Sequence, residues 1–437
     1  MKRLLFRNYW VASSLRHWFA RRFTKSGILV VSGLFLTLGL AFDTEQSLAY
    51  QTFALLLCLS VVSLLTAVFF RGRFRVKRHL PRFASIGVPF HYRLTIENLS
   101  PKPQRGLVLL EDLADSRLTT TKYLLQVSLT RKGKAFGLFR SEHRIRFARV
   151  QEAAIPPLLG DGAVSAEMSL TPLRRGILRF VGVTIARTDP FGLFRAFVRL
   201  PLPQSVAILP TRYPVSPLAL PGTLKYQQGG MAMASSVGQS EEFVAVRDYR
   251  RGDPLRRIHW KSWAKTGKPI VKEFEDEFFV RHALVLDTFS TEKKEAVFEA
   301  AVSVAASFAS AIQTQESLLD LMFAGSQAFC FTSGRGLGQT EQILEILAGV
   351  QLCPQGRFES LKKLVLEHAA LLSGCICVFL AWDKERQELV HRLRVLGIPL
   401  LVLVIVDPGS AGQIMSPLGG SFHVLERDKI HEGLINL

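Results

Sequence analysis

The chain has 437 residues, of which 48% are hydrophobic, and its mean hydropathy of +0.21 is above that of a typical soluble enzyme. Its formal charge of +19 and pI of about 10.0 favour an anionic partner: a lipid surface, a nucleic acid or an acidic protein. Five cysteines without metal-binding spacing argue against a disulfide framework and indicate a reducing compartment. The length predicts two or three structural units.

Two apolar stretches follow a basic N-terminus, residues 1–25. These stretches, Gly27–Phe42 and Ala49–Phe70, predict a transmembrane helical hairpin over residues 26–70, because about 20 apolar residues cross a bilayer. A second basic cluster comes next: Arg71, Arg73, Arg75, Lys77, Arg78 and Arg82. Since basic flanks stay cytoplasmic, we expect a multi-pass protein of the cell inner membrane, with its N-terminus and C-terminal domains in the cytoplasm. The alternative for the first stretch is a signal peptide.

Residues 71–211 alternate apolar and polar positions in short runs separated by Gly- and Pro-rich turns. Several short strands at near-even spacing predict an all-β sandwich. Within it, the sequence TDPFGLFRAF, Thr188–Phe197, predicts a tight turn with an apolar cover. Residues 212–240 are rich in Pro, Gly and Ser, which predicts a flexible linker.

A basic motif fills residues 241–281 and contains DYRRGDPLRRIHWKSWAKTGKP. Asp253 and Pro254 are typical of a helix start, and Gly267 of a helix end. Arg257, Lys261 and Lys265 are four residues apart, so they would form a basic stripe along one side of this helix. We therefore expect a short amphipathic helix packed against a strand, PIVKEFE, whose end is acidic.

Three functions compete for this motif. If the motif is the active site of a hydrolase or transferase, His259 would act as a base that Asp253 or Asp248 orients. As a nucleic-acid site, Trp260 and neighbouring cations would stack bases and bind phosphates, although the acidic run beside them would repel phosphate. The third interpretation is an ion-pair network that is structural or binds a protein partner, which suits the rigid arginine fork. We favour the third.

The stretch EFVAVRDYRRGDPLRRIHWKSWAKTGKPIVKEFE resembles the signature of the bacterial family called domain of unknown function 58. The order of apolar spans, β-rich middle with DPFGLF and following α/β region also resembles that family over most of the chain. The positions that match the motif are Arg247, Asp248, Tyr249, Gly252, Asp253, Pro254, Arg257, Ile258, His259, Trp260 and Lys261. Members are not established enzymes, and the resemblance implies cooperation with a MoxR-type AAA+ ATPase, in assembly or chaperone-like work.

Residues 282–437 alternate continuous apolar runs with helical patterns, which predicts a doubly wound α/β sheet. This region resembles a von Willebrand factor A domain. Such domains bind a divalent ion through positions that Asp287, Thr340 and Asp383 match, but Phe289 stands where a serine ligand is expected. The structural alternative is that these residues cap helices and strand ends, and we expect no metal and no cofactor.

The expected fold class is therefore two transmembrane helices, then an all-β sandwich, then a von Willebrand factor A-like α/β domain. We expect a membrane-anchored adaptor without catalysis. Its expected partners are the lipid bilayer and an AAA+ ATPase or other proteins of a membrane complex, and no nucleic acid.

Overall fold

The computed structural model describes residues 19, 21–40, 47–114, 147–215, 243–253, 255, 258–274, 280–290, 295–312, 317–325, 327–334, 337–354, 357–414 and 421–437. The chain divides into two compact units, Met1–Leu209 and Pro210–Leu437. Most of the predicted linker and residues 115–146 of the predicted sandwich lie outside the described residues.

The first unit begins with two apolar helices, α1 (Lys25–Leu40) and α2 (Ser47–Val68). Among the described residues, one helix is long and apolar enough to cross a membrane: Leu48–Val68 within α2, with a mean hydropathy of 2.1. Helix α1 has 16 residues. At 1.5 Å per residue it is about 24 Å long, which is shorter than a hydrocarbon layer of about 30 Å. The prediction of two transmembrane helices was therefore wrong.

The described part of this unit continues with nine strands: β1 (Phe74–His79), β2 (Phe83–Ser85), β3 (Phe90–Asn98), β4 (Leu107–Leu113), β5 (Ala148–Val150), β6 (Ala153–Ile155), β7 (Ala163–Pro172), β8 (Gly176–Thr188) and β9 (Arg195–Leu209). They form a four-stranded antiparallel sheet in the order β1-β3-β7-β5 and a five-stranded sheet in the order β2-β9-β8-β4-β6. The second sheet is mixed, because β2 runs parallel to β9. Alternating apolar side chains from both sheets form one core, around Leu94, Leu109 and Ile185.

One residue of the second basic cluster is buried inside this unit. Arg78 has a side chain with 0% exposure, and its guanidinium donates to both carboxylate oxygens of Glu111, at 2.7 and 3.1 Å. It also donates to the backbone oxygens of Leu202 (3.0 Å) and Gly182 (3.2 Å). Burial raises the pKa of Glu111, and Arg78 acts against that rise. The positive charge at this position is therefore neutralised within the protein and does not face a membrane.

The second unit contains a two-stranded ribbon, β10 (Phe243–Asp248) and β11 (Ile270–Phe274), with the short helix α3 (Trp260–Thr266) between them. The larger part is formed by β12 (Val280–Leu286), α4 (Glu295–Ala311), β13 (Ser317–Ala324), β14 (Ala328–Ser333), α5 (Leu337–Gly349), α6 (Phe358–His368), β15 (Gly374–Phe379), α7 (Lys384–Val395), β16 (Leu400–Val406), β17 (Phe422–Glu426) and α8 (Ile430–Ile435).

These strands form a six-stranded sheet in the order β14-β13-β12-β15-β16-β17. The pairs from β13 to β17 are parallel, whereas β14 is antiparallel to β13 at the edge. Every residue of β15 and β16 is buried, as expected for strands covered on both faces. The described residues thus form one candidate membrane helix followed by a β-rich region of four sheets, two of them mixed. The predicted fold class, with its all-β sandwich and von Willebrand factor A-like domain, was wrong.

Candidate functional site

The basic motif folds around the β10–β11 ribbon. Asp248 pairs with Ile270 in the antiparallel register, and the N–H of Tyr249 donates to the carbonyl of Pro269 at 2.9 Å. Ile258 pairs with Val271 across an isolated bridge, and both side chains are buried. The two apolar residues therefore hold the intervening segment against the ribbon.

The motif helix begins later than the sequence predicts. Asp253 is not its N-cap: α3 starts at Trp260, and the N-cap position belongs to His259, whose N–H donates to the carbonyl of Ile270 at 2.8 Å. The predicted helix end is confirmed, since Gly267 is left-handed with φ of 70° and its N–H donates to the carbonyl of Trp263. Pro254 and Arg257 lie outside the described residues.

Asp253 is instead held by an arginine from β10. Arg247 donates Nη1 to Oδ2 at 2.8 Å and Nη2 to Oδ1 at 2.9 Å, and the backbone N–H of Arg250 donates to Oδ2 at 2.8 Å. These bonds, with Arg247 as the largest cause, lower the pKa of Asp253 to about 2. Gly252, at φ of 113°, permits the tight turn that brings the carboxylate back to β10. Part of the predicted ion-pair network is thus present.

The enzymatic alternative required His259 to be oriented by Asp253 or Asp248. Both oxygens of Asp253 are already bonded to Arg247 and to the backbone. The Nδ1 of His259 lies 2.6 Å from the hydroxyl of Ser262, three residues along the chain. The structure therefore places a serine of α3 beside this imidazole.

Apolar and cationic side chains are exposed on the motif. Trp260 is 64% exposed and stacks on Trp263, with ring centroids 5.2 Å apart and planes 20° apart. Leu255 is 68% exposed. We call the following exposed residues the motif surface: Val246, Arg250, Arg251, Leu255, Trp260, Lys261, Lys265 and Lys268. This surface combines aromatic and aliphatic area with positive charge.

A second polar cluster lies at the carboxyl ends of β12 and β15, at positions that resemble the metal site of a von Willebrand factor A domain. Asp287 is fully buried and accepts from the Nε of Arg386 at 2.9 Å and from the backbone N–H of Leu380 at 3.2 Å. Arg386 also donates to the carboxylate of Asp383, the N-cap of α7. Burial raises the pKa of Asp287, and Arg386 opposes the rise. Asp287 and Asp383 thus both bind the Arg386 guanidinium, while Thr340, the third matching position, lies on α5.

Arg386 was not predicted from the sequence. The only local signal is its position three residues after the Asp383 N-cap, which lets both the backbone N–H and the guanidinium of Arg386 reach that carboxylate. Its partner Asp287 lies 99 residues away in the sequence, so no local sequence pattern indicates this bond. Among the described residues, no group of three or more His, Cys, Asp or Glu side chains is placed to hold a metal ion. The cluster can stabilise the sheet as a buried ion pair.

Comparisons with known proteins found partial matches. The uncharacterized protein YeaD of Bacillus subtilis is 26% identical over 191 residues, which are 42% of this chain and 45% of that protein. The chain therefore matches less than half the length of this relative. A CARDB domain from Pyrococcus furiosus is 9% identical with a TM-score of 0.17, over 31% of this chain and 94% of that domain.

A β-glucosidase from Listeria innocua is 14% identical with the same TM-score, over 31% of this chain and 16% of the enzyme. Scores this low assign neither fold nor function. The family match covers less of the chain than the resemblance predicted. Residues 245–408, which contain most of the motif and five strands of the six-stranded sheet, are similar to the family described as Protein of unknown function DUF58.

Proposed function

We propose that this chain is a membrane-anchored adaptor that binds an acidic face of a partner protein through the motif surface. The observation that carries the proposal is the exposed stack of Trp260 on Trp263 beside Lys261 and Lys265. Exposed tryptophans are enriched at protein interfaces and supply most of the binding energy when a partner covers them. The surrounding cations would attract an acidic partner and make its association rate fall with salt.

The polar groups at the centre of the motif support binding rather than catalysis. Asp253 is held as a carboxylate by Arg247, with a pKa of about 2, so it has little tendency to exchange a proton near neutral pH. A general base needs a pKa near the working pH. The resemblance to the DUF58 family suggests that the partner is a MoxR-type AAA+ ATPase, and we propose this class of partner on that ground.

The anchor in this proposal is α2. Its apolar window, Leu48–Val68, has 21 residues. At 1.5 Å per residue it extends about 31 Å, which matches the thickness of a hydrocarbon layer. An adaptor tethered in this way would recruit its partner to the membrane.

A hydrolase or transferase is the second candidate, favoured by one observation. The 2.6 Å distance between His259 Nδ1 and Ser262 Oγ is that of a base and a nucleophile. Turnover by the purified chain that disappears in Ser262→Ala, with an unchanged melting temperature, would support an enzyme and contradict the adaptor.

The test of the adaptor is direct binding between the full chain in lipid nanodiscs and a purified MoxR-type AAA+ ATPase from the same cell. Trp260→Ala should weaken the affinity by about 30-fold, the loss of a hot-spot residue of about 2 kcal/mol. The matched control is Val395→Ala on α7, a residue that is 73% exposed and outside the motif surface. Equal binding by both variants, or affinity for single-stranded DNA that exceeds affinity for the ATPase, would refute the proposal.

A further inference from the structure

We propose that the turn between β8 and β9, Asp189–Phe194, is a lipid-contact site that inserts into an anionic bilayer surface and holds the first unit directly against the membrane. This inference rests on the proposed membrane anchoring by α2. It goes further by naming which part of the β-rich unit contacts lipid and which lipid class it prefers.

The turn is rigid because its aspartate binds the backbone around it. Oδ1 of Asp189 accepts from the N–H groups of Leu193 (2.7 Å) and Phe194 (2.6 Å), and Oδ2 accepts from the N–H of Phe191 (3.0 Å). Gly192, at φ of 71°, completes the turn. A carboxylate bonded in this way can lie near apolar surroundings, since its oxygens are satisfied within the protein. The ring of Phe191 is left 50% exposed at the tip.

Both apolar helices are bonded to this turn. Ser63 of α2, with 0% exposure, donates its hydroxyl to Oδ2 of Asp189 at 2.7 Å. Just before α1, the N–H of Thr24 donates to the carbonyl of Leu193 at 3.1 Å. The approach of α1 is so close that a Cβ on Gly27 would lie 2.1 Å from that carbonyl oxygen. The start of α1 and the last turns of α2 therefore meet at the same turn, and the two helices run antiparallel.

These bonds fix the depth of the turn along α2. Ser63 lies five residues before Val68, the last residue of α2. Five residues correspond to about 7 Å. If α2 fills the hydrocarbon layer, the turn reaches the boundary between headgroups and acyl chains rather than staying in water. Phe191, at the tip, is an aromatic residue at the level where aromatic side chains are enriched in membrane proteins.

The same end of the unit carries exposed positive charge. Lys25 begins α1, Arg187 lies two residues before Asp189, and Arg71 lies two residues after Phe69, which is 76% exposed. The guanidinium of Arg187 stacks over the ring of Phe70, at 5.5 Å from its centroid. Cations at this level meet phosphate groups, and they favour anionic over zwitterionic lipids. A soluble acidic protein would satisfy the charges but would not explain their position at the ends of two apolar helices.

The test uses the full chain reconstituted into vesicles of about equal parts phosphatidylglycerol and phosphatidylcholine. The photoreactive analogue p-benzoylphenylalanine is incorporated at position 191, at position 55 in α2, and at position 177 in β8. Leu55 is 68% exposed and Ile177 is 57% exposed. Ile177 lies eleven residues before the end of β8, which is about 35 Å along the strand. Mass spectrometry after illumination identifies what each probe has bound.

We expect lipid adducts at positions 191 and 55 and none at position 177, with several times more phosphatidylglycerol than phosphatidylcholine at position 191. Adducts at position 55 without any at position 191, or protein adducts in place of lipid at position 191, would overturn the inference and leave the anchor intact. No lipid adduct at position 55 would refute the anchoring itself. Equal yields of the two lipids, unchanged in a Lys25→Gln and Arg71→Gln double variant, would overturn the preference for anionic lipid.

Discussion

Removing the buried guanidinium of Arg78 should strongly destabilise the first unit. Arg78→Met keeps most of the side-chain volume but removes the donors that bind both oxygens of Glu111. The same strand provides the matched control, because Arg75 forms an ion pair with Glu97 at 3.3 Å, but its side chain is 62% exposed. Arg75→Met therefore removes an ion pair and an equal charge from the surface.

The expected magnitudes follow from burial. Breaking a fully buried ion pair from one side costs about 3–5 kcal/mol, whereas an exposed pair contributes about 0–1 kcal/mol. The double variant Arg78→Met with Glu111→Leu removes the uncompensated carboxylate. It leaves the carbonyls of Leu202 and Gly182 without the Arg78 donors. Because unpaired buried polar groups cost about 1–3 kcal/mol, we expect the double variant to recover part of the loss but not all of it.

Amide hydrogen exchange of the full chain measures this locally. A loss of about 3–5 kcal/mol should speed exchange in peptides from β4 and β8 by about 150-fold to about 5,000-fold. Peptides from β15, in the other unit, should be unchanged and serve as the internal reference. Acceleration in Arg78→Met that is no greater than in Arg75→Met, or a double variant less stable than the single, would refute the reasoning.

Three further predictions concern other parts of the chain. Because Arg247 lowers the pKa of Asp253 from 3.8 to about 2, the stabilisation from this ion pair is fully present above a pH of about 4 and is lost as the pH falls towards about 2. The amide exchange rate of residues 249–253 should rise between these pH values, and Arg247→Gln should remove that rise. Arg386→Met should lower the melting temperature of the second unit by roughly 6–20 °C in calorimetry, the equivalent of about 3–5 kcal/mol, and an unchanged value would contradict a stabilising ion pair. Gly27→Val should make the β8–β9 turn more sensitive to proteolysis, because the added Cβ would lie 2.1 Å from the carbonyl oxygen of Leu193. Gly39→Val is the control and should have no such effect, because a Cβ there would meet no atom within 4 Å.

Local signals in the sequence predicted local structure well. Gly267 ends α3 because a residue without Cβ adopts the left-handed conformation at little cost, and this requires no distant partner. The continuous apolar runs in residues 282–437 became β13, β15 and β16, since such runs are typical of strands that are covered on both faces. The motif residues that carried the family resemblance fall within the range that matches that family, residues 245–408.

Two of the errors share a physical cause, which is an ion-pair partner that local sequence patterns do not report. Asp253 has the chemistry of an N-cap, but Arg247, six residues earlier on β10, binds its carboxylate with two hydrogen bonds instead. Arg78 belongs to a basic cluster that is typical of a membrane flank, but Glu111 draws it into the core. The first apolar stretch was counted as a span because composition does not report where a helix begins and ends. Membrane topology, partner and lack of catalysis stay predictions.

The stacked rings of Trp260 and Trp263 give the motif its own optical probe. Two indoles whose centroids lie 5.2 Å apart couple their electronic transitions, which produces a paired circular-dichroism band that a single indole does not show. Any ligand that slides between the rings, separates them or excludes water from the outer one changes that band without a dye or a tag. Engagement of this segment can therefore be followed in the unmodified chain, by titration, as a spectral change.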